Sequence, residues 1–327
     1  MDTLGLIHNP LTLSQYRFGT VQTSGPLSVI PIFGPDRQGE FVGPRSGLKL
    51  SQVKGYGNLE LNNPAARGVA IVPLHMGYIQ ENAQNHCLCR SGFIAAGQKV
   101  MFDDACCVQQ AQGGYLTERE QWFFVLPLAL REAAFQRRRI QNYSKLWPSI
   151  RELCQQFHLE DRGHLEQIIS RKRAYLNQYQ SRFELLDGQI GAAFFLNHRL
   201  VGVEIAPTAD YFCEVWMGLV CFCYGTSAMY LEQRTGWELT PKPLEGTSII
   251  ALKESLFERR TLYRQQLLEE LQPLQKEEFR LMEEERFLDL ELHSVDGKSF
   301  AGQVVVQQGE LTYLSLFGRQ AYLNHLN

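Results

Sequence analysis

Charge of one sign is what this chain lacks. Its 32 Lys and Arg against 35 Asp and Glu leave a formal net charge of −3, so the whole-molecule field selects neither nucleic acid nor an acidic membrane. The usual phosphate-binding fingerprints are missing as well. There is no GxxxxGK followed by Ser or Thr, no GxGxxG after a strand, and Gly55-Tyr56-Gly57 is too short a match to carry meaning. A GxSxG elbow, an HExxH pair and the deaminase zinc signature are also absent, which removes many common enzyme classes. The N-terminal Met1-Asp2-Thr3-Leu4-Gly5 has neither a basic flank nor a long apolar run, so the expectation is a cytoplasmic protein. Only one stretch is apolar enough to suggest a membrane, Tyr211 to Leu231. It carries Glu214, contains Gly218 and Gly225, and has no basic flank; it reads as a buried helix, with no membrane partner.

What is present is ordinary globular material: 327 residues, 44% hydrophobic and 20% charged. That is enough for one large domain or two of common size. The eight cysteines, Cys87, Cys89, Cys106, Cys107, Cys154, Cys213, Cys221 and Cys223, read as reduced thiols in a chain without a secretory signal.

The organisation predicts an α+β fold in three parts. Residues 1–125 form an antiparallel β-rich unit, with apolar runs at Leu27–Phe33, Gly68–Leu74 and Lys99–Phe102 separated by Gly and Pro. Residues 126–186 form a helical segment with Leu146, Ile150, Leu153 and Phe157 at helical spacing. This segment is locally basic: Arg131 to Arg182 holds eleven Lys or Arg against five Asp or Glu, whereas residues 1–130 hold nine of each. Residues 187–327 form an α+β part packed on the first unit as one interwoven domain. It comprises a hairpin turning at Asn197-His198, the apolar helix from Tyr211 capped by Thr208 or Asp210, a long amphipathic helix over Ala251–Arg286 broken or kinked by Pro273, and closing strands at Phe287–His293, Gln303–Gln307 and Leu311–Phe317.

The richest local chemistry lies between His75 and Tyr115. His86, Cys89 and one of Cys106 or Cys107 are suitable soft-metal ligands, but a CxC and an adjacent pair are not zinc-site spacing, and buried core cysteines look the same. The catalytic version makes Cys107 a nucleophile, with His86 or His75 as its base and Asp103 or Asp104 as an orienting carboxylate. Arg137-Arg138-Arg139 and Arg171-Lys172-Arg173 could contact nucleic-acid phosphates, but no stacking platform accompanies them, and solvated helix faces look alike.

The stretch Gln84 to Tyr115 resembles the ADP-ribosylglycohydrolase- and rhodanese/phosphatase-superfamily-associated protein domain family. That family has a strand ending in Gly-Ala-Lys-Gln-Asn-Arg and a later Pro-Val-Ser-Cys-Val-Glu-Gln-Gly-Arg-Trp. Here stand Ala83-Gln84-Asn85-His86, Gly92-Phe93-Ile94-Ala95-Ala96-Gly97 and Ala105-Cys106-Cys107-Val108-Gln109-Gln110. The Gly191–Gly202 hairpin and Gly309–Phe317 resemble its later strand motifs. This sequence departs from it at Ala83, His86 and Gln109, where the family has Lys, Arg and Glu. Gln109 cannot serve as a carboxylate acid, base or ligand. The resemblance implies a link to NAD or ADP-ribose metabolism, and that link rests on gene company.

Three functional expectations follow. The first is a non-enzymatic or degenerate binding protein that holds a small nucleotide-type ligand, or a protein partner or second copy, around Gln84, Asn85, His86 and Gln109, because neutral amides read nucleotide edges well and catalyse poorly. The second is an enzyme on an ADP-ribosyl or nucleotide substrate using Cys107, His86 and Asp104. The third is a structural or assembly protein, binding nucleic acid through its basic helices. The sequence specifies no cofactor.

Overall fold

The computed structural model describes residues 13–37, 39–53, 57–79, 85–110, 122–160, 163–235 and 248–324. The chain opens with β1 (Arg17–Phe18), β2 (Gln22–Ser24) and β3 (Leu27–Phe33). A series of short strands follows: β4 (Lys49–Val53), β5 (Leu59–Asn62), β6 (Ala70–Ile71), β7 (Met76–Ile79), β8 (His86–Cys87), β9 (Phe93–Ile94), β10 (Lys99–Phe102), β11 (Cys106–Cys107) and β12 (Trp122–Val125). Four helices come next, α1 (Leu128–Gln136), α2 (Trp147–Gln156), α3 (Glu166–Arg171) and α4 (Arg173–Arg182), then the hairpin β13 (Gly191–Leu196) and β14 (Arg199–Ile205). A continuous helical rod of α5 (Ala209–Met217), a π-helical segment Gly218–Tyr224 and α6 (Gly225–Thr235) precedes α7 (Ile249–Glu269) and α8 (Gln272–Lys276). The strands β15 (Arg280–Phe287), β16 (Leu290–Asp296), β17 (Phe300–Gln307) and β18 (Glu310–Gly318), with the short α9 (Gln320–Leu323), close the fold.

An α+β architecture with antiparallel sheets is therefore observed. Nine strands from both ends of the chain form one sheet in the order β1-β3-β13-β14-β18-β17-β16-β15, with β2 also paired to β3. Strand periodicity explains how this sheet is buried on two faces. In β3, Leu27 and Val29 join one core, which also contains residues of α1 to α6, whereas Ile30 and Ile32 join the other, against Leu267, Leu271 and Leu274. In β13, Ala192, Phe194 and Leu196 join the first core and Ala193 and Phe195 the second. A strand covered on both sides has no polar face, which is why Gly191–Leu196 is apolar throughout. The small sheets enclose a third core around Leu59, Leu61, Met76 and Phe102.

Local signals were strong where the fold followed them. Leu27–Phe33 and Lys99–Phe102 are strands over those bounds. Leu146, Ile150, Leu153 and Phe157 are all buried. Asn197 and His198 adopt φ of 46° and 68°, the left-handed pair that a two-residue hairpin turn requires. Thr208, not Asp210, caps α5, its hydroxyl accepting from the Tyr211 amide. The rod Ala209–Arg234 is long and apolar enough to cross a membrane, but 78% of its most apolar window is buried inside the protein.

Two expectations are corrected. Gly68–Leu74 is a strand only at Ala70–Ile71. The helix expected over Ala251–Arg286 ends at Glu269, and Arg280–Phe287 is an edge strand. Pro273 sits in the first turn of α8, where its missing N–H costs nothing. The Glu-rich run beyond it is helix-favouring, and pairing with β16 overrides that preference. Only the later part of the expected apolar stripe packs: Tyr263, Leu267 and Leu271 meet the second core, whereas Leu256 is exposed, as are Ile249, Ile250, Phe257 and Leu262 off the stripe.

Candidate functional site

The blocks singled out in the sequence do meet. β8 and β11 pair antiparallel, with His86 opposite Cys107 and Cys87 opposite Cys106. Beyond the ladder, the Val108 amide donates to the Asn85 carbonyl at 2.9 Å and the Asn85 amide to Gln109 Oε1 at 3.3 Å. Gln109 also bridges to His164, which precedes α3. Asn85, His86, Cys107, Gln109 and His164 are all buried. Gln84 lies outside the described residues. The three ligand-binding candidates that are described thus sit inside the protein, and Gln109 helps to hold the β8–β11 register.

The catalytic candidates meet separate partners. The Cys107 thiol donates to the Gln109 carbonyl at 2.9 Å, and burial pushes its pKa up. Asp104 turns elsewhere: Oδ2 accepts from Arg90 Nε at 2.8 Å and from the Arg139 amide at 3.2 Å. Asp103 accepts from Gln141. The metal set is divided by strand alternation. Cys89 Sγ and Cys106 Sγ are 3.6 Å apart in the apolar core, whereas His86 lies on the opposite face of β8 from Cys87 and Cys106. His86, Cys89 and Cys106 therefore do not converge on one ion. The contact between the two thiols, followed by burial, raises the Cys89 pKa well above its usual value.

His75 belongs to a different cluster, which sequence reasoning missed. Arg131, on α1, has no solvent exposure. Its Nη1 donates to Glu204 Oε1 at 2.5 Å, Nη2 to Ser315 Oγ at 2.5 Å, and Nε to His75 Nδ1 at 3.1 Å. The Tyr224 hydroxyl donates to Glu204 at 2.8 Å, and the guanidinium lies 4.9 Å from the Phe317 ring centre. Burial, then the charges of Arg131 and Arg138, hold His75 well below the usual imidazole range, so it is neutral and accepts from Arg131. Tyr224 comes from the π-helical turn, and it passes so close to β14 that a Cβ on Gly202 would lie 2.0 Å from its hydroxyl. A cavity of about 20 Å³ beside Glu204, Tyr211 and Tyr313 has room for a water molecule and little more. Two further arginines of that basic segment are engaged: Arg138 and Arg139 both pair with Glu284.

The open space is on another face. A groove of about 1150 Å³ runs between the end of α4, β2 and α7. Its walls are fixed by specific bonds. Gln22 and Glu184 exchange two side-chain-to-backbone hydrogen bonds, of 2.8 and 2.6 Å, tying β2 to the chain leaving α4. Arg182 Nη1 donates to Ser24 Oγ at 3.0 Å. Arg264 grips the Phe18 and Gly19 carbonyls, and Tyr263 hydrogen-bonds Ser28 and His198, which anchors α7 across β1–β3. Arg182, Arg259 and Arg260 line the groove together with the amides of Gln22 and Gln180; its lining carboxylate is Glu184. Among the described lining residues, three arginines stand against one carboxylate, a balance that favours an anionic ligand.

A family model described as the ARG and Rhodanese-Phosphatase-superfamily-associated Protein domain matches residues 15–317. The chain belongs to this family. No curated protein and no solved structure matches it. In this member of the ARG and rhodanese-phosphatase-associated family, the blocks between Asn85 and Gln110 build β8, β9 and β11, and Asn85, His86, Cys106, Cys107 and Gln109 within them are interior. Nothing in a local motif could have pointed to the groove, whose walls lie some 160 and 240 residues apart, at Gln22, Arg182 and Arg259.

Proposed function

We propose that this protein binds a phosphate-bearing nucleotide of the ADP-ribose type without turning it over, and that the ligand lies in the groove between α4, β2 and α7. The carrying observation is the groove itself, about 1150 Å³ with Arg182, Arg259 and Arg260 on its walls. Arginine recognises phosphate oxygens in a bidentate fashion, while Gln22, Gln180 and Tyr263 supply the neutral polar and aromatic groups that suit a ribose and a base. The family's association with the ARG superfamily supports an ADP-ribosyl ligand. Among the described lining residues there is neither a thiol nor an imidazole, and the one carboxylate, Glu184, has its backbone amide and carbonyl tied to Gln22, which favours holding a ligand over turning it over. A reducing, cytoplasmic location is part of the same proposal, supported by eight free cysteines.

A thermal-shift series with ADP-ribose, NAD, ADP and inorganic phosphate tests this reading. A ligand at about 100 times its Kd stabilises the native state by about 2.7 kcal/mol. ADP-ribose is expected to raise the Tm, less so at high salt because the groove's charges are exposed to screening. Recovery of the ligand unchanged supports binding alone; its hydrolysis overturns that half of the proposal. No shift with any of the four compounds overturns the ligand.

A further inference from the structure

The edge of the main sheet carries chemistry that the groove does not use. β15 and β16 pair with Glu283 opposite His293, Glu285 opposite Leu292 and Arg286 opposite Glu291, so Glu284 is the extra residue of a β-bulge. In a regular strand, Glu283 and Arg286 would point to opposite faces. The bulge restores both to the face that carries Glu291 and His293. One ligand atom each from Glu283, Glu291 and His293 then lies within 4.8 Å of the other two.

Arg286 holds the two carboxylates together. Its Nε and Nη2 donate to Glu283 at 3.1 and 2.8 Å, and Nη1 donates to Glu291 at 2.5 Å. Glu284 points away, to Arg138, Arg139 and Ser294. His293 supplies the independent observation. It is 7% exposed, its Nε2 has no hydrogen-bond partner, and that nitrogen is aimed at Glu291 Oε2, 3.5 Å away. A buried imidazole nitrogen left without a partner carries a desolvation cost. A cation placed between it and the carboxylates would remove that cost.

We propose that Glu283, Glu291 and His293 form a divalent-cation site of the zinc type, in which the Arg286 guanidinium is the resident positive charge that the metal displaces. The donor set, one imidazole nitrogen and two carboxylate oxygens, suits zinc or cobalt better than calcium or magnesium. The 3.5 Å between Nε2 and Oε2 fits two ligands bound at about 2.1 Å to one tetrahedral ion, which stand about 3.4 Å apart. The two carboxylates balance a divalent charge once the arginine has left. Arg286 is about half exposed, at 51%, so its head can turn into water while its stem stays on the sheet.

The test is titration of the full chain with Zn²⁺ by calorimetry and with Co²⁺ by visible absorption. One ion per chain is expected, lost in His293→Asn and weakened in both Glu291→Gln and Glu283→Gln. Arg286→Gln is expected to tighten binding by on the order of tenfold, the scale on which groups next to ligands shift metal affinity. Glu283 and Arg286 lie on exposed positions of an edge strand, so their variants keep the fold, and an unchanged Tm verifies it. Binding that persists at full affinity in His293→Asn places the ion elsewhere and overturns the proposal. So does an absence of binding in both the wild-type chain and Arg286→Gln, or an Arg286→Gln affinity no tighter than wild type.

Discussion

Two arginine–glutamate clusters in this protein use the same chemistry to opposite ends. Arg131 and Glu204 are sealed between α1, β14 and β18, their remaining valences met by His75, Tyr224 and Ser315. Arg286 holds Glu283 and Glu291 at a sheet edge where both partners reach solvent. Within the core, each charge is tolerated only because the others are there, and losing one strands its partner in a medium that solvates it poorly. At the edge, water takes over whatever the protein withdraws, so the pair is weak and exchangeable. Residue identity alone does not separate a structural ion pair from one that can open for another cation; the surroundings do.

The largest expected effect breaks the sealed cluster. Arg131→Met leaves the Glu204 carboxylate buried and uncompensated, and urea denaturation is expected to show a loss of about 3–5 kcal/mol. Arg131→Met combined with Glu204→Leu should recover most of it; a double variant as unstable as the single one contradicts the charge argument. Next comes Gly202→Ala, whose methyl would lie 2.0 Å from the Tyr224 hydroxyl. Displacing Tyr224 from Glu204 is expected to cost about 1–3 kcal/mol, in the range of overpacked cores.

A smaller effect depends on pH. The folded-state pKa of His75 is depressed by burial first and by Arg131 second, so the unfolded chain binds a proton near pH 6.5 that the native protein refuses. Stability is fully present above about pH 6.5 and falls as the pH drops below it, by up to about 1.4 kcal/mol per unit from this group. His75→Asn keeps a residue suited to the local φ of 64° and removes the titration. Denaturation midpoints at pH 7 and pH 5 should therefore lie closer together in His75→Asn than in wild type. The smallest effect belongs to the edge cluster: Arg286→Gln should leave the Tm in metal-free buffer indistinguishable from wild type, and a clear fall would make that cluster structural like the first.

Much of the framework was legible because local and global forces agreed. Leu27–Phe33 is apolar on both faces and becomes a doubly covered strand, and Leu146 to Phe157 shows one apolar stripe that becomes a buried helix face. The family blocks drew attention to His86, Cys107 and Gln109, but neither the β8–β11 pairing nor its burial was legible, because His86 and Gln109 look the same in a sequence whether they line a pocket or fill a core. Arg280–Phe287 was misread because a Glu-rich run favours helix until a neighbouring strand claims its backbone. The functional clusters were hidden for a related reason. Arg131 is one of eleven basic residues in its segment and only the fold buries it. The groove brings residues around 22, 182 and 260 together, and the edge cluster depends on a single bulged residue, Glu284.

The measurement that bears most directly on the account is calorimetric titration of ADP-ribose into the wild-type chain and into the Arg259→Gln/Arg260→Gln variant, each at low and moderate salt. These substitutions lie on an exposed face of α7 and leave the cores untouched. The account predicts saturable binding to wild type that weakens with salt, and a clear loss of affinity in the variant at unchanged Tm. Equal affinity in both proteins, or no binding to wild type at low salt, would contradict it.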